Sequence, residues 1–194
     1  MRYPKYQICY SYKTNYTPFV CNLVKNLGGL AEVVSDMEYT LAKRLGYANP
    51  QIVYNGPSKG DAMYEHLLHG GILNIDSLDE AKRIVSFCND HQNKEFTVGI
   101  RINMDLGGDF ISRFGLELDS QDLRETIALL KAQKNLNVVG LHCHIGSQIF
   151  EYSSFSDAAE IMLRFIRDVK DQCGYNVPVL NLGGGFGVRY VESD

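Results

Sequence analysis

Seven times along this chain a short apolar run alternates with a longer segment of helical spacing, and no other feature restricts the fold as strongly. The runs expected as strands are residues 7–12, 31–34, 52–54, 72–75, 97–102, 138–143 and 179–182. Helices are expected over residues 17–27, with Pro18 in the first turn, and over 36–45, 61–69, 78–89, 120–131 and 155–173. Ser35 with Glu38, and Ser77 with Glu80, form capping boxes that open two of these helices. Strands this continuously apolar are buried on both faces, which means a parallel sheet covered by helices, an α/β fold. The pattern alone leaves a doubly wound sheet and a barrel both open. No linker, charge block or shift of composition divides residues 1–194, so one domain is expected. The loops after the strands are rich in polar residues and glycine. In a barrel those loops share one face, where barrel active sites lie. A complete (β/α)8 barrel takes about 250 residues, so a chain of 194 is short by one or two β/α units.

The last strand runs straight into glycine: Val179-Leu180-Asn181-Leu182 is followed by Gly183-Gly184-Gly185-Phe186-Gly187. Successive backbone N–H groups in such a turn make a concave nest for an anion, usually phosphate. Other strands end on reactive or charged residues. Lys13 follows the first strand, and a partly desolvated strand-end amine is a candidate Schiff-base nucleophile, although a lysine reaching out to solvent is the plainer account. Glu32 and Arg101 lie on the second and fifth strands, where an Arg–Glu pair between strands would explain both. His142 and His144 alternate onto one face of the sixth strand. No third ligand sits at a useful spacing for a metal, so a flat imidazole against an aromatic cofactor, with Gly146 and Ser147 near its phosphate, fits better. A strand-end amine, a stacking ring and a phosphate nest together describe pyridoxal 5′-phosphate chemistry.

These residues also carry a resemblance that covers nearly the whole chain. Tyr12-Lys13-Thr14-Asn15, the segment from Glu32 to Glu38, Asn55-Gly56-Pro57-Ser58-Lys59, Asn74-Ile75-Asp76-Ser77, Arg101-Ile102-Asn103, Ser112-Arg113-Phe114-Gly115, GLHCHIGSQI from Gly140, and Asn181 to Gly187 occur in that order. In this the chain resembles the alanine-racemase-like barrel domain of the fold-type III diaminopimelate, ornithine and arginine decarboxylases, most closely the diaminopimelate decarboxylases. The resemblance implies a pyridoxal-phosphate-binding (β/α)8 barrel, here truncated after the seventh strand. It implies Lys13 as the internal aldimine lysine and His144 as the ring-stacking residue, the two catalytic positions. It assigns the phosphate to Ser147 and Gly183, Gly184, Gly185, with Phe186 and Gly187 beside them, and the ring side to Glu32 and Arg101. The activity implied is decarboxylation of meso-diaminopimelate in lysine biosynthesis. Ornithine, arginine or carboxynorspermidine-type substrates, a non-catalytic cofactor carrier, and an amino-acid racemase of the same fold are the alternatives. Relative to the family the chain lacks the Glu-Pro-Gly-Arg strand and the C-terminal β-domain, and a homodimer is expected of the full-length enzyme. Cys143 is not the family's catalytic cysteine, because its neighbours on the strand point the other way.

Composition sets the remaining limits. A net charge of −4 argues against a nucleic-acid or anionic-membrane partner and leaves a small amino acid as the expected one. No apolar run approaches the roughly 20 residues of a membrane span, and residues 1–6 lack a signal-peptide core. Five cysteines, odd in number and without a Cys-x-x-Cys pair, suit reduced thiols and a cytoplasmic location.

Overall fold

A computed structural model describes residues 5–104, 106 and 112–190 of the chain. Residues 1–4, which belong to the amino-terminal reading above, lie outside the described residues, as do 191–194.

Strands and helices alternate as expected: β1 (Cys9–Ser11), α1 (Pro18–Asn26), β2 (Leu30–Val33), α2 (Asp36–Arg44), β3 (Ile52–Tyr54), α3 (Ala62–Leu68), β4 (Ile72–Ile75), α4 (Leu78–Asn89) and β5 (Phe96–Asn103). After them come β6 (Leu116–Glu117), α5 (Gln121–Ala132), β7 (Leu136–His142), α6 (Tyr152–Cys173) and β8 (Val179–Asn181). The sheet runs β1-β2-β3-β4-β5-β7-β8, every pair parallel, and curls as an incomplete barrel wall. The two-residue β6, not expected from the sequence, pairs only with the end of β5. No helix among the described residues is long and apolar enough to cross a membrane.

Register and the two-residue period of a strand assign the faces. Ala31 lies opposite Ile52, Val33 opposite Tyr54, Leu73 opposite Val98, and Ile75 opposite Ile100, which lies opposite Leu141. All are buried and form one core with Ala42, Met63, Ile84, Leu130 and Met162 of the helices. Burying each large member of such a set is worth about 1.5–3 kcal/mol. The other face carries the polar strand residues alongside Val53 and Ile72: Ser11 opposite Glu32, Asn74 opposite Gly99, and Arg101 opposite His142, itself opposite Asn181. That inner face is what positions the site.

One irregularity decides which residues reach it. Between β5 and β7 the register shifts, so that Val98 faces Val138 but Gly99 faces Gly140. The extra residue, Val139, is a β-bulge, and it reverses the facing of everything after it on β7. His142 thereby joins Arg101 on the inner face, and Cys143 turns outward into the apolar core, where it is buried.

Two boundaries differ informatively. β1 is shorter than expected, because it is an edge strand: Ile8 is exposed, and after Ser11 the chain turns, with the Thr14 N–H and hydroxyl both donating to the Ser11 carbonyl at 3.3 and 2.7 Å. α6 begins at Tyr152, ahead of Phe155, because Phe155 stacks on Phe186 at 4.2 Å and anchors that first turn on the glycine loop.

Candidate functional site

The turn after β1 sets Lys13 at the rim, exposed, two residues beyond Ser11 and on the inner-face side of the wall. Its charge is felt by two groups. The Glu38 carboxyl is raised by burial and lowered by its bond from the Val34 N–H and by Lys13. His144 is lowered first by burial, then by Lys13 and Arg101, with Glu32 opposing them. Lys13, Glu32, Arg101 and His144 are therefore one electrostatic group at the carboxyl ends of the strands. Burial first, and the two cations after it, shift His144 toward its uncharged, flat ring. Below it, His142 is pushed down to about 3 by burial and by Arg101. A carbonyl only accepts, so the 3.3 Å contact of His142 Nδ1 with the Asn181 oxygen assigns the proton to Nδ1. Burial raises the Cys143 thiol to about 11, so it carries no thiolate.

The expected Arg–Glu pair is not formed. β2 and β5 are separated by β3 and β4, and the Arg101 guanidinium instead donates to Asp76 Oδ2 at 3.1 Å, both side chains being buried. Glu32 takes a hydrogen bond from Asn55 Nδ2 at 3.1 Å, and Asn55 Oδ1 takes one from Asn74 Nδ2 at 2.6 Å. The amide chain thus runs one way, ending on the carboxylate. Gly99 is required beside it, because a Cβ there would overlap Asn74 Oδ1.

The phosphate nest is built by two loops together. Gly183 and Gly185 have positive φ, 72° and 101°, and the Gly183 N–H is turned onto its own strand end, Asn181 Oδ1, at 2.8 Å. A Cβ on Gly183 would meet the Cys143 oxygen at 2.6 Å, and one on Gly185 would overlap the Gly146 carbonyl. The loop after β7 is fastened to this turn by Ile149 N–H to the Gly185 oxygen at 2.9 Å and Gly187 N–H to the Ile149 oxygen at 2.8 Å. The Gln148 side chain adds a reciprocal pair with the Val188 backbone, at 3.1 and 2.9 Å. Among the described residues, the N–H groups of Gly184, Gly185 and Phe186, and of Gly146 and Ser147, donate to nothing. A Cβ on Gly184 would meet no atom within 4 Å, so the turn is open to solvent there, with these N–H donors beside it. Ser147 is exposed on its rim.

Four residues at this end of the wall were not singled out by sequence reasoning for what they do. The Lys59 ammonium is fully buried and grips both oxygens of Glu80 at 2.8 Å and the Gly56 carbonyl at 2.7 Å. Glu80 in turn accepts the Asp76 N–H at 2.8 Å, and Asp76 Oδ1 accepts the Gly115 N–H at 2.9 Å. The capping box made Glu80 legible only as a helix start. Here its carboxylate, like that of Glu38, reaches the residue before the cap. A neighbouring cavity of about 480 Å³ is lined by Asp76, Ser77, Asn103, Ser112 and Gly115 among others, and by none of Lys13, His144 or the glycine turn.

Comparison with known proteins agrees in one direction. Residues 1–194 match the family model described as pyridoxal-dependent decarboxylase, pyridoxal binding domain. The chain is 33% identical to a diaminopimelate decarboxylase of Staphylococcus aureus, over 98% of this chain and 46% of that protein. It is 30% identical to one of Aquifex aeolicus, over 99% of this chain and 47% of that protein. The solved M. jannaschii diaminopimelate decarboxylase in complex with L-lysine superposes with a TM-score of 0.85 at 28% identity, covering 97% of this chain and 45% of that one. The chain thus spans about half the length of the relatives it matches.

Proposed function

This chain belongs to the pyridoxal-dependent decarboxylases, as their pyridoxal binding domain, and we propose that it is the cofactor-holding part of an enzyme that decarboxylates meso-diaminopimelate. The observation that carries the reading is the meeting, at one end of one sheet, of Lys13, a neutral His144 and an N–H nest on three different strand ends. Pyridoxal phosphate is flat, carries a phosphate and presents a carbonyl to an amine, and the residues present fit each of those features. When bound, the cofactor supplies the imine-forming carbonyl and the electron-withdrawing ring that takes up the electron pair left as the Cα–carboxylate bond breaks.

The chain's own residues divide the remaining work. The N–H groups of Gly184, Gly185 and Phe186, with Gly146 and Ser147 opposite, receive the phosphate without any charged side chain. Free donors of this kind are already oriented, so binding loses little to their reorganisation. His144, kept uncharged by burial and by the cations on either side, offers a ring face and adds no competing positive charge. Lys13 would hold the cofactor through its Nζ amine, the group that suits the cofactor's carbonyl. Glu32, held by the Asn74–Asn55 hydrogen-bond chain, and Arg101, held by Asp76, border the ring side. The substrate reading leans on the GLHCHIGSQI segment and on the diaminopimelate decarboxylases among the relatives. In keeping with the thiols at Cys9, Cys21, Cys88, Cys143 and Cys173, all free, the protein works in the cytoplasm. It takes neither nucleic acid nor membrane as partner. The full-length enzyme acts as a homodimer, an arrangement that would cover apolar side chains left exposed here, such as Phe19 on α1 and Val188 after β8.

The test is an absorption spectrum of the chain with added pyridoxal phosphate beside a Lys13→Ala variant. A band near the visible edge, removed by borohydride and missing in the variant, is the expected result. No band in either protein, or the same band in both, would overturn the assignment.

A further inference from the structure

Arg101 lies on the inner face opposite His142, and its charge lowers His142 and His144 and also bears on Cys143. Its position is not intrinsic to its strand. A guanidinium on a flexible stem is held by whatever accepts its N–H groups, and the acceptor is Asp76, at the end of the neighbouring strand. Asp76 is itself gripped at three points. Its Oδ2 takes Arg101, its Oδ1 takes the Gly115 N–H, and its own N–H is given to Glu80, whose carboxylate is clamped by the buried Lys59. Four alternating charges, Lys59, Glu80, Asp76 and Arg101, thereby link the loop after β3, the turn into α4, β5 and the segment before β6. A network this fully hydrogen-bonded holds its members in single positions. Phe114 closes it from the other side, with the Arg101 guanidinium carbon 5.3 Å from its ring centre.

We propose that Asp76 is a positioning residue of the cofactor site, acting through Arg101: it fixes the guanidinium on the inner face and, with the Lys59–Glu80 clamp, sets how firmly the mouth receives pyridoxal phosphate. The inference rests on the reading of the mouth as a pyridoxal phosphate site. Asp76→Asn keeps the shape and the acceptor for Gly115 N–H, but turns an amide toward Arg101 and leaves the guanidinium without its counter-charge.

The experiment is a double-mutant cycle on cofactor affinity, read by the absorption band of bound pyridoxal phosphate and not by turnover. Asp76→Asn is expected to weaken binding roughly tenfold or more, the range for a charge-assisted hydrogen bond removed from one partner. In an Arg101→Met background the same substitution is expected to change affinity less than about twofold, since the group it acts through is gone. A merely structural role would give the same loss in both backgrounds, and that result overturns the inference. Equal affinity of wild type and Asp76→Asn also overturns it, while leaving the cofactor assignment intact. A wild-type chain that binds no pyridoxal phosphate overturns both. Should Asp76→Asn not fold, Asp76→Glu, which keeps the charge and displaces it by one methylene, reads the same coupling. Its expected loss again disappears with Arg101→Met.

Discussion

His66 offers the sharpest quantitative test of the packing behind the site. Its side chain is fully buried, edge-on against the stacked rings of Tyr39 and Tyr54, with ring centres 5.5 and 6.0 Å away. Nε2 donates to the Ile72 carbonyl at 3.0 Å, which leaves Nδ1 bare to face Asn49 Nδ2 at 3.5 Å. The contact with Asn49 requires the neutral ring, since a protonated Nδ1 could not accept, and burial lowers the pKa from 6.5 to about 4 against the opposing pull of the Ile72 carbonyl. The unfolded chain therefore takes up a proton at His66 that the folded chain refuses. This contribution to stability is fully present above pH 6.5 and is lost as pH falls from there toward 4. Linkage over that interval gives a loss of about 2 kcal/mol between pH 7.5 and 5 from this residue. Glu38 and Glu80, whose carboxyls are raised by burial, act with the opposite sign, and His142 acts in parallel. All three cancel when wild type is compared with His66→Gln, which removes the titrating group and retains an N–H for Ile72. The assay is urea unfolding of both proteins at pH 7.5, 6.5, 5.5 and 5.0, followed by circular dichroism. The wild-type advantage is expected to shrink by about 2 kcal/mol across the series. An advantage constant to within about 0.5 kcal/mol would mean that His66 protonates as readily in the fold as out of it, and the argument from burial would fail.

Two further substitutions probe the frame and the nest. The Asn135 amide donates to the carbonyls of Cys88, His91 and Lys94 at 3.1, 3.1 and 3.0 Å, closing the end of α4, so Asn135→Ala is expected to lower unfolding stability by about 2–4 kcal/mol; a loss under about 1 kcal/mol in urea unfolding would show that water replaces the clamp. Gly185→Ala, at positive φ and against the Gly146 carbonyl, is expected to lower both the melting temperature and pyridoxal phosphate affinity, whereas Gly184→Ala, which meets no atom, is expected to lower affinity alone. Equal affinity of Gly184→Ala and wild type would remove that N–H cradle from the phosphate site.

Much of this was readable in the chain as written, because the signals are local. Hydrophobic period, Ser35 and Ser77 as helix caps, and a run of glycines after an apolar strand all act within a few residues of one another. They were enough for the order of strands and helices, for Lys13 at a strand end and for a nest beside residues 183–187. The same reading set a histidine ring and Ser147 beside that nest, and the family motifs chose His144 as the ring. What stayed hidden depends on register and on contacts between segments far apart in sequence. The bulge at Val139 is invisible as a pattern, since valine fits any strand, yet it alone turns His142 inward and Cys143 outward. Arg101 and Glu32 looked like partners because both are charged and on strands. The order of strands in the sheet gave Arg101 to Asp76 and Glu32 to Asn55 instead. Lys59 stands in the sequence only as the last residue of the Asn55–Lys59 motif, and it is the packing of the loop after β3 against α4 that buries it on Glu80. Local chemistry chose the elements and the reactive groups, while strand register and long-range pairing chose which of those groups face one another, since a side chain's partner is set by three-dimensional proximity that no short stretch of sequence encodes.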